Sequence, residues 1–501
     1  MGSGKKIVKG AFWTTVQTVV NGIYGFVSVP LLLAYFGKSN YGLIGLAMSI
    51  NVYLRLMDLG FNTTAVRYFA TWNAEGKKED VKKLFSTNLA MFGGIGLLNA
   101  IVLVIISFFS QDIFSISSEQ DLIFRHLLYI LAISAFISWF VSVFNQLLQG
   151  LEYVGWIQKM IFIPKVLQIV ILVLTLLLRL DIETYYGLTT FAVFATLPLI
   201  ILKILKVCPY ISFFPKVDVS VLKEILPYSL QIFSFGIFQF SANYLRPVIL
   251  GIRGSVESIS DYRVLFGIVN IVIMLGGAFL NILLPSVSKA VAEGNVAAQN
   301  RVAYQGTKYL TMFLCFCSFG VMSVSNDLIT AYVGNQYLYL VFWLNLWLIS
   351  TLSSHIQCLS SIILAGTRLK AITVITIIAS VVSIAFCWFL VPMFEVGGAI
   401  ISYMCFSLIL IVFYYFYYYP YVMQINSFEI FFKKVMPFVA TGLVSSLIVM
   451  NIKMNFGVWG NLLLKGSLFS VLYVFCSGFL LNQSDRSFLL RIMKKNEKKN
   501  V

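Results

Sequence analysis

Residues Tyr53–Trp72 read "YLRLMDLGFNTTAVRYFATW". The stretch follows an apolar run and reads as one helix, yet it carries Arg55, Asp58 and Arg67. What those charges mean depends on the solvent around the helix. The surrounding chain has 501 residues, 59% of them hydrophobic and 11% charged, with a mean hydropathy of +0.89. A soluble globular protein carries about 45–50% apolar and about 25% charged residues. Apolar runs of about 18 residues or more recur along the whole length. The chain is therefore expected to be an all-α polytopic membrane protein, and Tyr53–Trp72 to lie in a membrane span.

Cutting the sequence at its polar breaks gives about fourteen spans. The first six end near Phe36, Trp72, Phe109, Gln149, Leu178 and Leu205. The next six begin near Val221, Ile259, Gln299, Gln336, Leu369 and Val396, and the last pair near Ile430 and Gly457. Orientation follows from Lys and Arg, which concentrate in cytoplasmic segments. With the N-terminus inside, "AEGKKEDVKK", "KILKVCPYISFFPKVDVSVLKE", "TRLK", "FFKK" and the tail "RIMKKNEKKN" are cytoplasmic. About 25 of the 36 Lys and Arg fall inside and about 6 outside. Both termini are thus expected in the cytoplasm. The formal net charge of +16 is a topology signal with some attraction to anionic lipid, and needs no nucleic acid.

Simpler motifs fail on context. "GSGK" near the N-terminus has no preceding strand or upstream glycine of a phosphate-binding loop. Gly2 lacks the Ser or Thr that a myristoylation signal needs at position 6, where Lys6 stands. No apolar core ends in a cleavage site, so the first helix is expected to be retained. Seven cysteines, mostly in apolar runs (Cys315, Cys317, Cys387, Cys405, Cys476), form no CxxC pair. They read as buried hydrophobes. With only His126 and His355 to supply imidazole, no metal site is expected. Connections such as "GKSN" and "SQDIFSISSEQD" leave no room for an external catalytic domain, so no enzyme activity is expected.

The chain holds a faint duplicate of itself. "PLLLAYFG" from Pro30 is matched by "PVILGIRG" from Pro247, "AEG" from Ala74 by "AEG" from Ala292, and "LLQGLE" around Gly150 by "ILAGTR" around Gly366. Three matches in order at a nearly constant offset indicate duplication. A six-span repeat keeps its orientation, so two lobes related by an axis along the membrane normal are expected. The expected division is residues 1–206 for the first lobe, 207–220 for a cytoplasmic linker, 221–420 for the second lobe, and 421–501 for two further helices and a basic tail.

"PLLLAYFGKSNYGLIGLA" from Pro30, "MDLGFNTTAVRYFATWNAEGKKED" from Met57 and "LLQGLEYVGWIQK" from Leu147 resemble the Wzx-type polysaccharide flippases of the MOP superfamily. That superfamily also contains the MATE exporters and the lipid II flippases. The resemblance extends over essentially the whole chain in length and span count. It implies translocation of an undecaprenyl-diphosphate-linked oligosaccharide across the bacterial cytoplasmic (inner) membrane, for O-antigen or capsule assembly. It also implies two six-helix lobes around a cationic cavity, with two extra helices forming a groove for the lipid tail. Membrane lipids and other polysaccharide assembly proteins are the implied partners.

The residues bear on this independently. A central Arg, Lys or Asp costs about 2.5–3.5 kcal/mol on insertion scales, so such groups face a cavity or a partner. Arg55 and Asp58, three apart, share a helix face. Either Arg55 grips diphosphate oxygens, with Asp58 tuning it or carrying a coupling proton, or the two form a structural pair. Arg67 lies near the cytoplasmic end and can snorkel. Arg246 precedes Pro247, which is expected to kink its span as Pro30 does in the other repeat. Lys165, beside Pro164, lies about 15 Å from the cytoplasmic end. Gln17, Asn21 and Tyr24 line one face of the first span; Ser138, Ser142, Gln146, Asn145 and Gln149 follow steps of four on the fourth. Such stripes serve either a pathway or helix–helix hydrogen bonds. The cavity candidates are thus Arg55, Asp58, Lys165, Arg246, Asn21, Gln17, Asn145 and Gln149. His355 reads as structural, and Glu152 and Asp261 as solvated loop ends.

The deep charges are mostly cationic and ask for an anionic substrate. The leading expectation is a flippase working by alternating access. No ATP-binding motif is present and no cofactor is expected; an H+ or Na+ gradient, or consumption of the product outside, would drive it. The alternatives are a MATE-type ion-coupled drug exporter, which the cations disfavour, and a membrane-embedded polymerase or glycosyltransferase, which the short loops disfavour.

Overall fold

The computed structural model describes residues 3–293, 300, 302–356, 370–482 and 485. Among them the regular elements are all helical. In hydrocarbon no water meets a free N–H or C=O, and helices satisfy these groups within each segment. Ten helices are long and apolar enough to cross a membrane, or up to 12 if each of two bent pairs is one span. The expected fourteen differs for two visible reasons. Val16–Asp58 counts once although Gly37 breaks it, and the apolar helix Leu340–Ile356 is shorter than a span.

The helices follow in order. They are α1 (Ser3–Leu54), α2 (Phe61–Ala74), α3 (Lys78–Phe108), α4 (Ser118–Gly150), α5 (Val154–Leu178) and α6 (Ile182–Val207). Then come α7 (Val219–Tyr244), α8 (Arg246–Arg253), α9 (Val256–Ala292), α10 (Thr307–Ser323), α11 (Ser325–Val333) and α12 (Leu340–Thr351). The last are α13 (Lys370–Phe394), α14 (Val396–Phe413), α15 (Met436–Asn451) and α16 (Gly457–Phe479).

Tyr53–Trp72 is not one helix, contrary to the sequence expectation. It turns into a short 3-10 segment at Arg55–Asp58, then passes through Leu59 (φ 49°) and Gly60 (φ 78°) before α2 begins. Two successive residues with positive φ cannot continue a right-handed helix. Asp58 Oδ1 accepts the Gly60 N–H at 2.9 Å and holds the break. The two glycines of the first matched pair both stand where a helix is interrupted or ends. Gly37 (φ 80°) breaks α1 seven residues after Pro30, and Gly254 ends α8 seven residues after Pro247. Pro30 itself lies inside α1, so the departure comes at the glycine; Pro247 opens a helix at its first turn, where its missing N–H is not needed. The matching stretch around Gly366 lies outside the described residues.

The chain forms two compact units. One comprises residues 1–264 with 383–399, the other 265–382 with 400–501. In the first, Phe61, Phe69, Phe85, Phe92, Trp139 and Phe144 build an aromatic core among α2, α3 and α4. A Cβ on Gly150 would collide with Phe69, so the glycine sets how closely α4 and α2 approach. Outside the spans, Asp181 caps α6 and Asp218 caps α7. The Thr184 backbone N–H holds the Asp181 carboxyl below its usual range; at Asp218 the Ser220 hydroxyl does so. In the second unit α10 is the hub: Phe319 meets Gly442 of α15, and Tyr473 of α16 donates to the Met312 carbonyl at 2.9 Å.

Candidate functional site

The first unit carries cations in its spans, and the structure treats them differently. Arg55 is exposed, about midway between the Gly37 break and the end of α2. It forms no pair with Asp58, whose carboxylate serves the Gly60 N–H instead. The structural pair considered from sequence is therefore not formed.

Lys165 is half-buried on α5. Its Nζ donates to Gln168 Oε1 at 2.7 Å and lies 4.4 Å from the centre of the Tyr24 ring on α1. Gln168 Nε2 in turn donates to the Thr189 carbonyl, and the Tyr24 and Tyr185 hydroxyls stand 3.4 Å apart. One aromatic face and one amide carbonyl thus meet the ammonium group, and Gln168 links it onward to α6. On α1, Asn21 is exposed and Gln17 half-buried, on the face that brings Tyr24 to Lys165. On α4, Asn145 is half-buried with its Oδ1 lacking a hydrogen-bond partner among the described residues, and Gln149 is exposed. Gln146 of the same stripe is fully buried and accepts from Asn88 of α3 at 3.3 Å. That stripe divides: Gln146 joins two helices, while Asn145 and Gln149 keep unused polar groups.

Sequence reasoning did not select Arg263. It sits half-buried on α9 against the second arm of α1. Its Nε donates to the Tyr41 hydroxyl at 3.1 Å, its guanidinium carbon is 4.8 Å from the Tyr41 ring centre, and Nη1 meets Met48 Sδ at 3.4 Å. Arg55 follows Met48 by seven residues, which is two turns and about 10 Å along the same helix face. The signal for Arg263 was its place one turn past Ile259, inside the apolar run rather than before it.

Arg246 differs. It is 2% exposed, with Nη1 donating to the Ala242 carbonyl and Nη2 to Ser383 Oγ at 2.9 Å. Asp261 corrects the sequence reading outright: it is buried, not solvated, and pairs with Lys38 at 2.9 Å. In the second unit, Lys308 pairs with Asp485 at 2.6 Å and Lys465 with Asp327 at 2.7 Å. His355 is buried between the Leu352 carbonyl and the Tyr415 hydroxyl, a structural setting. Arg67 is exposed and stacks on Tyr228. Among the described residues, Arg55, Lys165 and Arg263 have no carboxylate partner.

The sequence profile described as "Polysaccharide biosynthesis protein" matches residues 7–292, more than half of the chain. The chain belongs to that family. No curated protein is significantly similar to it in sequence. Among solved structures it is similar to "Lipid II flippase MurJ, inward closed conformation". That match has a TM-score of 0.69 and 14% identity, and covers 93% of this chain and 98% of the other. It is also similar to an inward-facing multidrug resistance MATE family transporter of the MOP superfamily. There the TM-score is 0.61 and the identity 15%, with 81% and 96% covered. A third is the MATE multidrug transporter DinF-BH, with a TM-score of 0.57, 14% identity, and 82% and 96% covered. At such identities the likeness establishes the fold. The chain is a multi-pass membrane protein with the fold of MOP-superfamily transporters.

Proposed function

We propose that this protein is a flippase that carries an undecaprenyl-diphosphate-linked oligosaccharide repeat unit across the bacterial cytoplasmic membrane by alternating access. The observation that carries the reading is the contrast in charge pairing. Lys38, Lys308 and Lys465 each have a carboxylate, whereas Arg55, Lys165 and Arg263 have none among the described residues. An unpaired cation at membrane depth is costly unless it meets water or an anion. A diphosphate supplies that anion, and guanidinium groups bind it through paired N–H donors. The tyrosines around Lys165 and Arg263 add faces and hydroxyls suited to a polar headgroup. Family membership supports a role in polysaccharide assembly, and the lipid II flippase, a protein of the same fold, supports a lipid-linked cargo.

In this proposal both termini are cytoplasmic, residues 1–206 and 221–420 are the two lobes, and the prenyl tail stays in lipid along the helices of 421–501. A drug exporter for cationic compounds fits these unpaired cations poorly. The deciding experiment is depletion of the protein followed by analysis of lipid-linked sugars on the cytoplasmic side. Accumulation of one lipid-linked oligosaccharide is expected. Unchanged lipid-linked sugars together with retention of cationic dyes would replace this reading with drug export. Arg55→Ala and Arg263→Ala are each expected to lower complementation at least about tenfold, the loss of about 1.4 kcal/mol or more of charge-assisted hydrogen bonding. Membrane abundance should stay near wild type.

A further inference from the structure

We infer that Lys38 and Asp261 form a latch that positions Arg263, so that the anion site is complete only while α1 and α9 are closed on each other. This rests on the diphosphate reading of the site. Lys38 stands immediately after the Gly37 break, and its ammonium reaches Asp261, whose side chain is 4% exposed. The neighbouring Ser260 hydroxyl donates to the Lys38 carbonyl at 2.5 Å, so two adjacent bonds fix the start of α9 to the break.

Below the latch the helices touch through glycine. A Cβ on Gly42 would collide with the Val256 carbonyl, and one on Gly45 would lie 2.7 Å from Arg263 Cδ. The arginine stem therefore crosses α1 at a position with no side chain. Its head then meets Tyr41 on one side of the crossing and Met48 on the other. Tyr41, Gly45 and Met48, at steps of four and three, form a track on one helix face. Asp261 and Arg263 are two residues apart and point to different faces of α9, so they do not neutralise each other. Each is held separately by α1. Separation of α1 from α9 breaks the Lys38–Asp261 pair and strips Arg263 of Tyr41 and Met48 in one movement. The site then loses a cation as that end opens, which favours release of an anion there. Lys38 and Asp261 are positioning residues, acting through Arg263.

The test uses the purified full-length protein in detergent, with farnesyl diphosphate as the probe. Asp261→Ala and Arg263→Ala should each weaken binding about tenfold, and the double variant should weaken it no further. The exchange Lys38→Asp with Asp261→Lys should restore binding lost in either single variant. Additive losses, or an exchange that fails to restore, overturn the proposal. A second readout needs no ligand. Ser49→Cys, one turn past Gly45, is labelled with a water-soluble maleimide and quantified by peptide mass spectrometry. Labelling should quicken at least about fivefold when Asp261→Ala is added and return to the slow rate in the exchange variant. Labelling that ignores the latch overturns the proposal. If the unaltered protein does not bind farnesyl diphosphate, the diphosphate reading fails and the labelling alone decides the latch.

Discussion

Arg55 and Arg246 are both guanidinium groups in apolar helices, and the protein uses them in opposite ways. Arg246 is enclosed, one terminal nitrogen on the Ala242 carbonyl and the other on Ser383. Arg55 is exposed on a 3-10 turn between two broken helix arms, and the nearest acid in sequence is committed to Gly60. The insertion cost is about the same for each, about 2.5–3.5 kcal/mol. The difference lies in what their N–H groups do. Donors already spent on carbonyls and hydroxyls build the fold, whereas unspent donors at a backbone break are available to a ligand.

The largest effect is expected where this contrast is tested directly. Arg246→Ala removes two charge-assisted hydrogen bonds and leaves Ser383 and the Ala242 carbonyl without that partner. A loss of about 2 kcal/mol or more follows, which lowers the folded-to-unfolded ratio by a factor of about 30. Yield of monodisperse protein by size-exclusion chromatography should fall accordingly. Arg55→Ala should leave yield unchanged while transport collapses. If Arg246→Ala folds normally and loses only transport, the contrast is broken and Arg246 joins the binding groups.

Gly60→Ala should rank next, because it attacks the break that sets Arg55 apart. A Cβ there would lie 2.5 Å from the Ser229 carbonyl, and the residue has a φ of 78°. The left-handed conformation alone costs an alanine about 1–2 kcal/mol. A lower melting temperature in detergent and partial loss of transport are expected. Unchanged stability would mean that the two arms join without needing glycine.

Span positions were legible in the sequence because hydropathy and the Lys/Arg bias report on solvent, which acts on each residue separately. Helix ends at Leu178 and starts at Val396 and Gly457 coincide with the polar breaks. Lys165 and Tyr24 were both selected, yet their contact was not, because it joins helices about 140 residues apart. Arg55 and Asp58 failed as a pair for a local reason: the chain breaks at Leu59–Gly60, and the Asp58 carboxylate turns to the Gly60 N–H at that break instead of to Arg55. Asp261 was misread as solvated, and Arg263 was not selected. Both stand beside a polar loop, and only the packing of α9 on Gly42 and Gly45 removes them from water. A glycine spacing of three on α1 was the available clue to that close approach.

Asp58 should give the smallest effect and the sharpest discrimination. Its Oδ1 accepts one backbone N–H, and an asparagine keeps that acceptor at the same position. Asp58→Asn is therefore expected to retain the break, the yield and nearly full transport. Asp58→Ala should lose about 0.5–1.5 kcal/mol, the net worth of one such hydrogen bond, visible as a small drop in melting temperature. The alternative role for this carboxylate is to carry a coupling proton, and an amide cannot do that. Normal folding with abolished transport in Asp58→Asn would move Asp58 from holding the backbone to driving the cycle. Arg55 would then be one half of a working pair, and its distinction from Arg246 would rest on chemistry as well as on exposure.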